Sequence, residues 1–102
     1  MASIIRGTTP TLIYKFKIVR VSEIATAILT IKQADRVVIE KTLNSAVTGA
    51  DSLSWTFTQQ ETLSLEIGSV SAMLNWVTSD GTRGASKRTM VAIELNDIEE
   101  VI

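Results

Sequence analysis

The stretch "LSWTFTQQETLSLEIGSVSAMLNWVT", Leu53 to Thr78, decides how the chain folds. At its start Leu53, Trp55 and Phe57 alternate with Ser54, Thr56 and Thr58. At its end Val70, Ala72, Leu74 and Trp76 alternate with their neighbours, the period of two that a half-buried strand requires. Between the two the period breaks. Thr58 can accept from the amide three residues on, and Glu61 can reach back to the Thr58 amide, which is the reciprocal arrangement of a capping box. Gln59, Gln60 and Glu61 favour helix over strand, Leu63 and Leu65 supply apolar contacts, and Gly68 supplies a stop. The spacing predicts a short helix from about Gln59 to Leu65, with Leu63 or Leu65 turned into the core. Such a helix carries the chain from one sheet to another and plugs the open end between them.

The flanking sequence repeats the strand period. Thr11 to Ile18 places Leu12, Tyr14, Phe16 and Ile18 on one face against Thr11, Ile13, Lys15 and Lys17. "IATAILTIKQ", Ile24 to Gln33, is rich in β-branched residues, with Ala25, Ala27, Leu29 and Ile31 inward and Ile24, Thr26, Ile28, Thr30 and Lys32 outward. Ala34, Asp35 and Arg36 turn a hairpin, with Asp-Arg at its tip, into a strand from Val37 to Thr42. "NSAVTGADS", Asn44 to Ser52, is a connection of small residues, and "SDGTRGAS", Ser79 to Ser86, is a glycine-bearing hairpin loop. Lys87 to Leu95 pairs back with Val91, Ile93 and Leu95 inward. Six strands at short intervals predict an all-β chain, one antiparallel sandwich or barrel over residues 1–102.

Composition narrows the chemistry. The 102 residues are enough for one domain that buries about two-thirds of its unfolded surface, with no room for a second. Cysteine is absent, which excludes disulfides, thiolate nucleophiles and cysteine-ligated metals. Histidine is absent too, removing the usual general base near neutral pH and the commonest transition-metal ligand. A formal charge of −1 with acids and bases interspersed gives no field for nucleic acid. No apolar run approaches the roughly 20 residues of a membrane helix, and Met1 to Gly7 has no signal-peptide core. Yet the chain is 45% hydrophobic and only 21% charged, with a mean hydropathy of +0.24, so its apolar content exceeds what one small core needs.

The remaining candidates for chemistry read as structure. Glu61 with Glu66, or Asp35 with Asp51, could form the carboxylate pair of a glycosidase, but nothing in their spacing fixes a shared site. Asp80-Gly81-Thr82-Arg83-Gly84 has the small residues of a phosphate loop without its spacing, and a hairpin follows instead of a helix. The acids do not fall in the register of a calcium loop. Trp55 and Trp76 could stack on a sugar, but both lie on faces assigned inward. No catalytic, metal or cofactor residue is therefore assigned. The surplus sits on the opposite faces, where Ile13, Ile28, Val38, Met73, Val77 and Met90 alternate with polar neighbours. Together they are candidates for a protein interface, with Ile28, Met73 and Met90 first.

Several stretches in order carry a resemblance: "RGTTPTLIYKF" (Arg6 to Phe16), "AILTIKQADRVVIEK" (Ala27 to Lys41), "FTQQETLSLEIGSVSAMLNWVTSDGTRGASK" (Phe57 to Lys87) and "ELNDIEEVI" (Glu94 to Ile102). With its R-G-T-T-P opening, T-I-K-Q strand end, T-Q-x-E-T-L crossover, D-G-T-R hairpin and terminal V-I, the chain resembles prophage structural proteins. The likeness is to the N-terminal β-sandwich of phage baseplate upper proteins and related tail-associated modules. The resemblance implies an immunoglobulin-like sandwich that serves virion assembly in a tail or baseplate, without enzymatic activity or cofactor. It implies a homo-oligomer in contact with other phage structural proteins, made in the bacterial cytoplasm and incorporated into the virion. The sequence as written ends just after the sandwich, where the baseplate proteins continue, which favours a small structural or accessory role over host recognition. A carbohydrate-binding or adhesin-like sandwich is the alternative, and it requires Trp55 or Trp76 at the surface.

Overall fold

The capping box at Thr58 forms in full in the computed structural model, which describes residues 2–102. The Thr58 Oγ1 accepts from the Glu61 amide at 3.1 Å, and the Glu61 carboxylate accepts from the Thr58 amide at 2.8 Å. The helix it starts is a single turn. In chain order the elements are β1 (Ala2–Ile5), β2 (Thr11–Lys15), β3 (Ile24–Gln33), β4 (Arg36–Thr42), β5 (Val47–Thr48), β6 (Ser52–Thr56), α1 (Gln59–Leu63), β7 (Gly68–Thr78), β8 (Arg83–Ala85) and β9 (Thr89–Glu94). Two 3-10 turns, Val21–Glu23 and Leu43–Ser45, precede β3 and β5.

The strands form two sheets. The larger has the order β1-β9-β7-β3-β4, with β8 added to the second half of β7, and the smaller has the order β2-β6-β5. Leu53, Trp55 and Phe57 from the small-sheet side meet Leu29, Ile31, Val70, Leu74, Val91 and Ile93 from the large sheet in one apolar core. The protein is thus an all-β sandwich. As expected, α1 bridges the sheets between β6 and β7. It buries Leu65 beyond its end and Thr62 within it, and Leu63 is half-buried. The Thr62 hydroxyl donates to the Thr8 carbonyl at 2.7 Å and accepts from the Gly7 amide at 3.0 Å, tying the loop before β2 to the helix.

Several expectations are corrected by the geometry. Gly68 does not stop the helix; Ser64 caps it, and Gly68, at φ +136°, opens β7. β2 ends at Lys15, and Ile18 lies beyond it at 97% exposure, because the chain leaves the sheet there for the turn at Val21. In β3 a register shift between Ile24 and Thr26 inverts the faces at the start, so Ile24 is buried and Ala25 exposed. The β3–β4 turn is centred on Ala34-Asp35, not Asp-Arg. Both have positive φ, 52° and 62°, and Gln33 pairs with Arg36, which defines a two-residue type I′ turn. Leu95 falls past the end of β9 and is 63% exposed.

Three strands escape the period-of-two reading. β5 and β8 are too short to show alternation. β1 pairs with β9 in parallel, Ile4 against Ile93, so the sandwich is not purely antiparallel. "SDGTRGAS" is a hairpin as expected, with Gly81 at φ +89° and the Asp80 carboxylate accepting from the Thr78 hydroxyl and the Thr82 amide.

Candidate interface

The outer face of the large sheet is built by register. Ile28 stands opposite Asn75, Thr30 opposite Met73, Thr26 opposite Val77, and Ser71 opposite Met90. Residues two apart on neighbouring strands are diagonal neighbours about 7–8 Å apart, within reach of long side chains. Val77, Ile28, Met73 and Met90 therefore follow one another diagonally as a stripe across β7, β3 and β9. Ile28 and Met90 are exposed, Met90 at 46%, and Met73 and Val77 are half-buried. Thr26, Thr30, Ser71 and Asn75 flank the stripe, so an apolar centre has a polar border.

Two shallow hollows bracket the stripe. One, of about 180 Å³, is lined by Thr26, Ile28, Asn75, Trp76, Val77 and Arg83. The other, of about 260 Å³, is lined by Lys32, Ala34, Asp35, Ser69, Ser71, Arg88 and Met90. Arg83 donates to the Asn75 side chain at 3.2 Å at the first hollow.

Two residues of the expected set lie elsewhere. Ile13, 60% exposed, is on the small sheet, on the far side of the sandwich from the stripe. Val38 is the extra residue where β4 shifts register against Ile31 and Lys32; it turns to pack on the core, and Val37 takes the outward position opposite Lys32. A period of two carries no mark of such a shift.

The Glu61 carboxylate and both tryptophans have structural partners, and Glu66, Asp35 and Asp51 are not brought together in a pair. Burial pushes the Glu61 carboxyl up. The hydrogen bond from Lys41, at 2.8 Å, the Thr58 amide and the Lys41 charge together outweigh that, holding it below its usual 4.5. The Lys41 ammonium also stands 5.4 Å from the centre of the Phe57 ring. The Glu66 amide pairs with the Gln33 side chain, Asp35 is in the β3–β4 turn, and the Asp51 carbonyl accepts from Phe16. Trp55 is 1% exposed and its indole donates to the Thr42 carbonyl at 2.9 Å. Trp76 is half-buried, edge-on to Phe16 with ring centres 5.0 Å apart. Among the described residues no group of three or more acids assembles as a metal site, and no helix is long and apolar enough to cross a membrane.

Other exposed apolar residues include Ile18, which the period of two places inward but which stands free at the turn after β2, and Ile98, Val101 and Ile102 in the final segment, set among the charges of "NDIEEVI". Comparison with protein-family profiles, with curated proteins and with solved structures finds no match to this chain.

Proposed function

We propose that this protein is a non-enzymatic assembly module, a structural or accessory component of a phage or prophage tail or baseplate, which works through contacts with copies of itself and with other virion proteins. The observation that carries the reading is the diagonal stripe of Val77, Ile28, Met73 and Met90. The stripe lies on the outer face of the large sheet with Ile28 and Met90 exposed and Met73 and Val77 half-buried, bordered by hydroxyl and amide side chains. Its chemistry is that of a surface meant to be covered by another protein.

The fold reading that goes with it is immunoglobulin-like. On that reading the orders β1-β9-β7-β3-β4 and β2-β6-β5 would be lettered A′-G-F-C-C′ and B-E-D, with α1 in the E–F crossover and β8 as an addition to F. The tail and baseplate assignment comes from the resemblance of the sequence stretches, and the geometry supports its contact-based character.

Light scattering over a concentration series tests the reading. The wild-type protein is expected to gain mass with concentration, and Ile28→Asp combined with Met90→Asp is expected to shift it towards monomer while circular dichroism stays unchanged. A wild type that stays monomeric at every concentration overturns the reading.

A further inference from the structure

One end of the sandwich carries an apolar hollow flanked by lysines and the other an apolar ribbon flanked by acids, and we infer that the two bind each other between successive copies of the chain, stacking the sandwiches head to tail. This rests on reading the protein as an assembly module, but on a surface separate from the sheet-face stripe.

At one end the chain leaves β2 for the turn at Val21. Ile18 projects there almost wholly exposed, and Phe16, Ile18, Val19 and Trp76 line an open hollow of about 320 Å³ with Lys15 and Lys17. Lys15, Lys17 and nearby Arg20 are exposed, and among the described residues none of the three is in an ion pair. Glu23, Asp51 and Asp80 also lie at this end, and the Asp80 carboxylate is held within its own loop by Thr78 and Thr82.

At the other end Leu95 to Ile102 runs as a ribbon outside either sheet. Three ties hold it: the Asn96 amide donates to the Arg6 carbonyl at 2.8 Å, Arg6 pairs with Glu99, and the Gln59 amide group makes two hydrogen bonds with the Ile102 backbone. These ties fix the backbone while Ile98, next to Asp97, and Val101 and Ile102, just after Glu100, remain exposed; neither Asp97 nor Glu100 is in an ion pair among the described residues. One end is an apolar hollow flanked by Lys15 and Lys17. The other is a preorganised acidic apolar ribbon.

The ends cannot meet within one molecule. The ribbon leaves β9 where Ile93 pairs with Gly68, and the hollow lies at Trp76 on the same strand, about 27 Å along extended chain. The long axis spans 46 Å. A contact between unlike ends of two copies is heterologous, and ends that face opposite ways propagate the contact along the axis. Opposite charge steers the encounter and fixes the direction of stacking.

Charge reversal with complementation tests this. Wild-type protein is expected to sediment as elongating species whose size rises with concentration and falls with added salt. Lys15→Glu with Lys17→Glu, and separately Asp97→Lys with Glu100→Lys, each weaken association roughly tenfold or more. An equimolar mixture of the two variants regains it, because each variant's altered end meets the other's complementary one. All four side chains are exposed and make no internal hydrogen bond, so folding is expected to be retained, checked by circular dichroism. Undiminished assembly in both variants, or a mixture no better than its parts, overturns the inference. Should the Ile28→Asp, Met90→Asp protein dissociate while the charge variants assemble as wild type, head-to-tail stacking is refuted and the sheet-face reading stands.

Discussion

Gly84 lacks a side chain because Trp76 occupies the space a side chain would need. A Cβ at Gly84 would lie 2.4 Å from the indole ring, which Phe16 holds edge-on from another direction. Gly84→Ala is therefore expected to cost about 2 kcal/mol in chemical denaturation, since the ring has to shift against a packed neighbour. Trp76→Leu in the same chain should recover part of that loss, a coupling that a general loss of backbone freedom would not produce. Thr62 is a second residue with a specific task. Thr62→Val keeps the volume but leaves the Gly7 amide and Thr8 carbonyl without their partner, an expected loss of about 1–3 kcal/mol. The sequence showed Gly84 only as part of a turn and Thr62 only as a helix residue, because both roles depend on what another segment brings alongside.

At the scale of elements, α1 is where local sequence and final structure agree most closely. Its cap, its start at Gln59 and the burial of Leu65 all follow from spacing within eleven residues. The Lys41 pairing did not follow, since it arrives from β4, twenty residues away in sequence. The Glu61 carboxyl has a lowered pKa in the folded protein, so its stabilisation is present above its usual 4.5 and is lost as pH falls through the lower folded value. Glu61→Gln should therefore flatten the fall in stability on that acid limb while lowering stability at neutral pH, as read from denaturation midpoints between pH 2 and 7 (about the range in which carboxyls titrate). The strand alternation was legible wherever a strand exceeded four residues. It failed at the register shifts in β3 and β4, because one extra residue flips every face beyond it, and this is why Ile24, Ala25 and Val38 were placed wrongly.

Across the whole molecule, β1 completes one edge of the large sheet. Ile4 pairs with Ile93 and is buried in the common core, although the opening residues gave no strand signal. Ile4→Ala is expected to lower stability by about 2–4 kcal/mol in urea denaturation, a core-sized effect that a dispensable leading segment would not show. The sequence by itself determined the all-β class, the longer strands and the capped crossover, because each is written in local spacing. Only the tertiary structure decided that β1 runs parallel to β9, that Ile13 and Val38 part from Ile28, Met73, Val77 and Met90, and that the hollow beside Lys15 and Lys17 and the final ribbon lie far apart. Those are facts of which distant segments become neighbours, and the free energy that selects them comes from packing two sheets around one core, which no local period records.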